Sequence, residues 1–255
     1  MWIDSHCHLN DPAYAADYRE VIGRAVSEGV TTLVVVGYDL PSSERAVELA
    51  GEFDCVWAAV GVSPHDAKDW NERAAGCLEQ LLQTPRVVAL GEIGLDYHYQ
   101  ESSREQQWLA FEAQLAIAAS HGKPVIIHTR EAAQDTLDRL ANAKSGAGVM
   151  HCYTGSLEMA REFMKLGFYI SFAGPLTFSN AARLREVAAG VPLERTLIET
   201  DCPYLTPHPF RGKRNEPANL VLTGQKLAEI KGIPVDQAMA QTSANTRSLF
   251  GIQGS

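Results

Sequence analysis

The chain has 255 residues, 45% hydrophobic and 21% charged, with 22 Lys and Arg against 31 Asp and Glu for a formal net charge of −9. These proportions exclude low-complexity, collagen-like and disordered classes, and the acidic excess excludes a surface broadly adapted to polyanions, so any nucleic-acid contact must be local. Five scattered cysteines make poor material for a disulfide framework, no stretch approaches the roughly 18 apolar residues of a membrane span, and the N-terminus lacks a signal-peptide pattern, so a cytoplasmic, reduced protein without membrane contact is expected.

Short apolar, β-branched runs recur in chain order at Trp2–Leu9, Thr31–Tyr38, Val56–Val62, Val87–Leu95, Pro124–Arg130, Ala147–Tyr153, Phe168–Gly174 and Thr196–Asp201. Each is near-continuously apolar rather than alternating, the pattern of a strand buried on both faces. Helical periodicity fills the intervals. After Glu101, Trp108, Phe111 and Leu115 fall at i, i+3, i+7 spacing, with Ser103 and Gln106 placed as a capping box. Gly29, Gly122, Gly167 and Gly190 each stand between a helical segment and the next strand, where a left-handed residue would end the helix. Two further helices follow Pro217.

Strands alternating with helices, and no Ser/Gly-rich linker, predict one α/β domain over residues 1–255. Eight such units most naturally close into a single (β/α)8 TIM-type barrel. An open doubly wound sheet is the alternative, but the glycine-rich phosphate turn that would favour it is missing after the first strand.

In such a barrel the C-terminal strand ends hold the active site. His6 and His8 share one side of the first strand, while Cys7 faces the other. Glu92 on the fourth strand, His128 at the end of the fifth, His151 at the end of the sixth and Glu199-Thr200-Asp201 at the end of the eighth project into the same mouth. Ionisable groups buried together must neutralise one another or coordinate metal. Imidazoles and carboxylates suit divalent cations: Mg²⁺ or Mn²⁺ by the carboxylates, Zn²⁺ by the imidazoles. His65, in the loop after the third strand, is a candidate to reach either substrate or solvent. His98, just past the fourth strand, reads equally as lining the mouth or as a solvated loop residue; His121 and His208 read as helix-end and loop residues, and alternation points Cys7, Cys152 and Cys202 away from the axis.

Together Asp4-Ser-His-Cys-His8, Gly91-Glu-Ile-Gly-Leu-Asp96, Pro124-Val-Ile-Ile-His128, His151-Cys-Tyr-Thr-Gly155, Glu199-Thr-Asp201 and Arg211-Gly-Lys-Arg-Asn-Glu-Pro217 closely resemble the TatD family of metal-dependent deoxyribonucleases, within the amidohydrolase superfamily. The resemblance spans essentially the whole chain. It implies a (β/α)8 barrel, two or three metal ions, and hydrolysis of DNA phosphodiester bonds. Carried onto this chain, it makes His6, His8, Glu92 and Asp201 ligands of one metal, with Glu92 bridging to a second held by His128 and His151. The family commonly has histidine at the position of Ser63; a hydroxyl there removes an imidazole that could bind substrate or a third, weaker metal.

Two metals would activate a water for in-line displacement, with Asp201 as proton acceptor and Glu92 as the bridge. Arg211, Lys213 and Arg214 form the densest basic cluster of this acidic chain and follow Asp201 closely, so they are candidate phosphate contacts. Arg130 is a further one, and Tyr153 or Tyr204 are candidates for stacking on a base. The expected substrate is DNA, single-stranded or at short ends, because a barrel mouth admits a terminus more readily than a duplex; the expected state is a monomer. Deacylation of D-aminoacyl-tRNA, or another amidohydrolase-type hydrolysis, is the alternative. A metal-binding adaptor without catalysis is a third reading, disfavoured by the complete ligand set.

Overall fold

The computed structural model describes residues 1–143 and 146–253. Eight parallel strands run in chain order around one sheet: β1 (Trp2–Cys7), β2 (Val30–Val36), β3 (Val56–Val60), β4 (Val87–Asp96), β5 (Val125–Arg130), β6 (Gly148–Met150), β7 (Tyr169–Phe172) and β8 (Thr196–Ile198). Beyond the last strand, His8 N–H donates to Cys202 O (2.9 Å) and Asp201 N–H to His6 O (3.0 Å), which brings the β8 end back to β1. The fold is a (β/α)8 TIM-type barrel.

Helices α1 (Tyr18–Ser27), α2 (Leu40–Glu52), α3 (Glu72–Leu82), α4 (Arg104–Ser120), α5 (Ala133–Ala143), α6 (Leu157–Lys165), α7 (Ala182–Gly190) and α8 (Leu220–Lys231) follow the strands in turn, and α9 (Val235–Phe250) follows α8. Among the described residues no helix is long and apolar enough to cross a membrane. The capping box on α4 forms as the sequence predicts, Ser103 Oγ accepting from Gln106 N–H and Gln106 Oε1 from Ser103 N–H. Gly29, Gly122 and Gly167 have the left-handed backbone expected of them. Gly190 does not: it is the last helical residue, and a Cβ there would lie 2.4 Å from Leu157 Cδ2, so close packing of α7 on α6 is the reason for glycine.

Alternation along the strands explains why the runs are apolar throughout. Leu33, Val35, Val60, Ile127, Met150 and Ile198 face the helices, whereas Val34, Val36, Ala59, Ile126, Val149 and Leu197 face the barrel axis and pack with Leu249, Phe250 and Ile252 from the α9 end. Two residues further along β5, β6 and β8, on the same inward side, stand His128, His151 and Glu199. An apolar layer thus supports a polar one. On β4 the register against β5 slips between Leu90 and Ile93, around Gly91 and Glu92. Gly94, at φ 144°, lets β5 approach so closely that a Cβ would lie 1.9 Å from His128 O.

Strands β1, β3, β6, β7 and β8 are shorter than their apolar runs. Residues 152 and 201 leave β6 and β8 in left-handed conformations, with φ of 43° at Cys152 and 53° at Asp201. Such a backbone stops a strand and re-aims the side chain.

Candidate metal centre

His6, His8, Glu92, His128, His151 and Asp201 come together at the C-terminal mouth, as expected. Glu92 lies at their centre. Its Oε2 is 3.4 Å from His6 Nε2 and 3.7 Å from His8 Nε2, and its Oε1 is 3.0 Å from His128 Nδ1 and 3.4 Å from His151 Nε2. Asp201 Oδ1 is 3.5 Å from His8 Nε2 and 3.8 Å from His6 Nε2. His6, His8 and Glu92 therefore make one triad, and Glu92, His128 and His151 a second, each with its ligand atoms within 4.8 Å of one another.

The far nitrogen of three rings is already engaged. His8 Nδ1 faces Val36 O at 2.9 Å, His128 Nε2 faces Asp96 Oδ2 at 2.9 Å, and His151 Nδ1 faces Glu199 Oε1 at 3.3 Å. A neutral ring that donates from one nitrogen presents a lone pair from the other. Three lone pairs then point at carboxylate oxygens, which repel them unless positive charge lies between. The donor set thus fits divalent cations, and Glu92 sets one oxygen toward each pair of rings.

Protons on the rings are the alternative source of that charge. Burial opposes ionisation of His8, but Asp201 and Glu92 raise its pKa to about 9. Burial likewise opposes charge on His151, and Glu92 with Glu199 reverses this, holding it well above the usual imidazole value. For Glu92 burial pushes upward, yet His151, His128 and His6 keep the carboxyl well below the usual range. Asp201 is lowered in the same way, burial being outweighed by His8, His151 and His6.

Three carboxylates stand behind the candidate ligands; the sequence places Glu199 in the mouth and gives Asp4 and Asp96 no role. Asp96 accepts from His98 N–H and Tyr99 N–H at 2.8 and 2.9 Å besides orienting His128. Burial raises its pKa and the bond from His128 lowers it further, to about 2. Glu199 accepts from Cys152 N–H at 2.6 Å while holding His151. Asp4, wholly buried, accepts from Thr200 N–H at 3.0 Å and Thr200 O–H at 2.5 Å, tying the β8 end to β1. Period-two spacing offered a signal for Asp4, two residues before His6, and for Glu199. Asp96→Asn should weaken metal binding at the His128–His151 side by about 10- to 100-fold, the usual cost of losing a carboxylate behind a ligating histidine, as measured by calorimetric titration of the apoprotein.

The mouth departs from the sequence expectations at several residues. Cys152 does not simply point away from the axis: it has a left-handed backbone at φ 43°, and burial together with the nearby Asp201, Glu199 and Glu92 carboxylates pushes its thiol well above the usual range. Tyr153 is 3% exposed, packs on Phe163 and donates to Ser156 O at 2.7 Å, so no face of it is open to a base. Arg214 stacks on Tyr14 and pairs with both oxygens of Asp17, at 2.9 and 2.6 Å. Its guanidinium is committed to α1-side structure rather than presented to a phosphate. His65 does reach the centre, with Nε2 3.6 Å from Asp96 Oδ2 and its ring 5.5 Å from that of His128. Ser63, buried, donates to Asp66 Oδ2 at 2.9 Å and accepts from His65 N–H, so it shapes this loop.

Around the mouth cations lie on aromatic faces: Arg130 on Tyr99 at 4.6 Å, Arg211 on Phe178 at 4.2 Å and Lys213 on Phe210 at 5.6 Å. Tyr204, 57% exposed, stands 6.5 Å from the His8 ring. His98 faces outward and pairs with Glu131 at 2.8 Å.

A family profile described as "TatD related DNase" matches residues 3–251. YabD of Bacillus subtilis, described as an uncharacterized metal-dependent hydrolase, is 45% identical over 254 residues, covering 99% of this chain and 100% of YabD. The protein named 3'-5' ssDNA/RNA exonuclease TatD from Klebsiella pneumoniae is 37% identical over 256 residues, 98% of this chain and 97% of its own. Among solved structures, YJJV, a TatD homolog from Escherichia coli, superposes with a TM-score of 0.93 at 30% identity, over 99% of this chain and 98% of that one.

Proposed function

The chain belongs to the TatD-related DNase family and is a hydrolytic enzyme, and from that premise we propose that it cleaves phosphodiester bonds at the ends of single-stranded nucleic acid. The observation that carries the reading is the convergence of four imidazoles on the two oxygens of Glu92. His6, His8 and Asp201 would hold one divalent cation and His128 with His151 a second, Glu92 spanning both. Such ions, when bound, supply Lewis-acid stabilisation of phosphoryl oxygens and a nucleophile at neutral pH.

The remaining roles belong to the chain itself. Asp201, with its carboxylate over His6 and His8, takes the proton released as water attacks the phosphorus. His65, at the lip, is placed to contact the phosphate. Arg130, Arg211 and Lys213 hold the strand through charge-assisted hydrogen bonds, and the aromatic rings beneath them offer π-faces to bases without regard to sequence. A small basic rim on an acidic protein gives the local attraction that the net charge denies. The name of the Klebsiella relative, a single-stranded DNA and RNA exonuclease, supports the same substrate class.

The test is release of nucleotides from end-labelled single-stranded oligonucleotides with Mg²⁺, Mn²⁺ or Zn²⁺, abolished by chelation. Hydrolysis of a charged tRNA without nucleotide release would instead support the deacylase. The double variant Arg211→Gln, Lys213→Gln should raise KM for single-stranded DNA about tenfold and flatten the logarithmic salt dependence by about 0.7 per lost phosphate contact. Unchanged KM and salt slope would take these two residues out of the substrate path.

A further inference from the structure

A groove of about 830 Å³ opens between α6 and α7, lined by Thr154, Gly155, Glu158, Phe178, Arg183 and Glu186 among others. Thr154 and Gly155, both exposed, follow the ligand His151 on the chain and lead from the centre to the groove. Phe178 belongs to both regions: it lines the groove and carries the Arg211 guanidinium on its face, with His208 edge-on at 6.1 Å. The loop after β8 is pressed against the loop after β7, since a Cβ on Gly174 would lie 2.0 Å from Leu205 O, and this contact places Arg211 over Phe178. The groove therefore opens beside the loops that follow β6 and β7, at the C-terminal end of the barrel.

Its charge decides what enters. The walls carry one guanidinium and two carboxylates, which disfavours a phosphate inside and leaves phosphates to Arg211 at the lip. Glu158 lies in the first turn of α6, just after the N-cap Ser156, where the helix N-terminus already favours its charge. Glu186 remains facing the groove as an acceptor. A carboxylate recognises an exocyclic amine, which cytosine, adenine and guanine have and thymine and uracil lack.

We infer that this groove seats the base next to the nucleotide being removed, stacking it on Phe178 and reading its amine through Glu186. The inference rests on the single-strand reading above. It makes the enzyme favour strands longer than a dinucleotide and disfavour thymine at the adjoining position.

The experiment compares kcat/KM on single-stranded oligonucleotides of increasing length, and on trinucleotides differing only at the position next to the cut. The wild-type protein should gain about tenfold once the groove is filled, the typical worth of one base–aromatic stack, and should discriminate against thymine there. Phe178→Ala should flatten the length dependence, and Glu186→Gln should remove the base preference while retaining the length effect. Equal losses at every length for Phe178→Ala, or no discrimination against thymine by the wild type, would overturn the inference. Wild-type inactivity on every oligonucleotide would instead overturn the parent reading. In that event fluorescence anisotropy of labelled di- and tetranucleotides on the chelated protein still decides the groove, because occupancy requires tighter binding of the tetranucleotide and its loss in Phe178→Ala.

Discussion

Asp201→Asn should bind its divalent cations yet lose about 10²- to 10⁴-fold in kcat, the usual worth of a positioned proton acceptor. The substitution is nearly isosteric, and Asn tolerates the left-handed backbone of this position as well as Asp does. Folding should therefore be undisturbed. His6, His8 and Glu92 remain to hold the ion, and the amide oxygen can replace one carboxylate oxygen toward His8. What the variant lacks is a base: an amide accepts no proton at neutral pH. The two measurements are metal content by mass spectrometry and steady-state hydrolysis of a single-stranded oligonucleotide. Full metal with kcat collapsed and KM little changed assigns proton transfer to Asp201. Near-wild-type kcat removes it from the chemistry, and loss of metal in parallel with activity makes it a ligand first.

The positions of the candidate ligands His128 and His151, and of the carboxylate Glu199 behind them, were legible because they obey strand alternation. His128, His151 and Glu199 stand two residues beyond inward-facing Ile126, Val149 and Leu197, so the apolar run and the polar interruption carry one message. Alternation fails where the strand ends. Cys152 is one residue past His151, and a change of φ into the left-handed region leaves its thiol under the influence of the Asp201, Glu199 and Glu92 carboxylates of the centre. Tyr153 fails for the same reason: beyond Cys152 its side chain turns to Phe163 of α6, on the helix side of the sheet, instead of into the mouth. The basic loop shows a different limit. Arg211, Lys213 and Arg214 are indistinguishable as a sequence cluster, yet Arg214 meets Asp17, 197 residues away in the chain. No local pattern announces a partner at that separation. Gly190 was misread because helix termination and close helix packing both select glycine, and only the neighbouring Leu157 distinguishes them.

Glu92→Gln should have the larger effect on metal binding, because Glu92 sets one oxygen toward each pair of imidazoles. Its negative charge makes each triad attractive to a cation, and each oxygen serves a different triad. Glutamine preserves the shape but removes the charge, and its amide nitrogen turns two donors toward His6 and His8 or toward His128 and His151. One triad then loses an acceptor and gains N–H groups where a cation should sit. The expected result is loss of affinity beyond the roughly 100-fold of an outer-sphere substitution at one site, with weakening at the other, and no detectable hydrolysis. Titration calorimetry of the apoprotein should show two equivalents for the wild type and fewer than two for the variant at matched concentration. Without metal the same charge favours protonation of the imidazoles it faces, raising His8 to about 9 and holding His151 well above the usual imidazole value. Removing it leaves those cations facing one another inside the barrel, at a cost of about 3–5 kcal/mol if they stay charged. Most of that cost is avoided by releasing protons. The metal-free variant should consequently bind fewer protons than the wild type at neutral pH, and its chemical-denaturation midpoint should fall more on the acid side of neutrality than on the alkaline side. Two full metal equivalents with unaltered affinity in Glu92→Gln would mean that the two triads do not share this residue, and the bridge would have to be sought elsewhere.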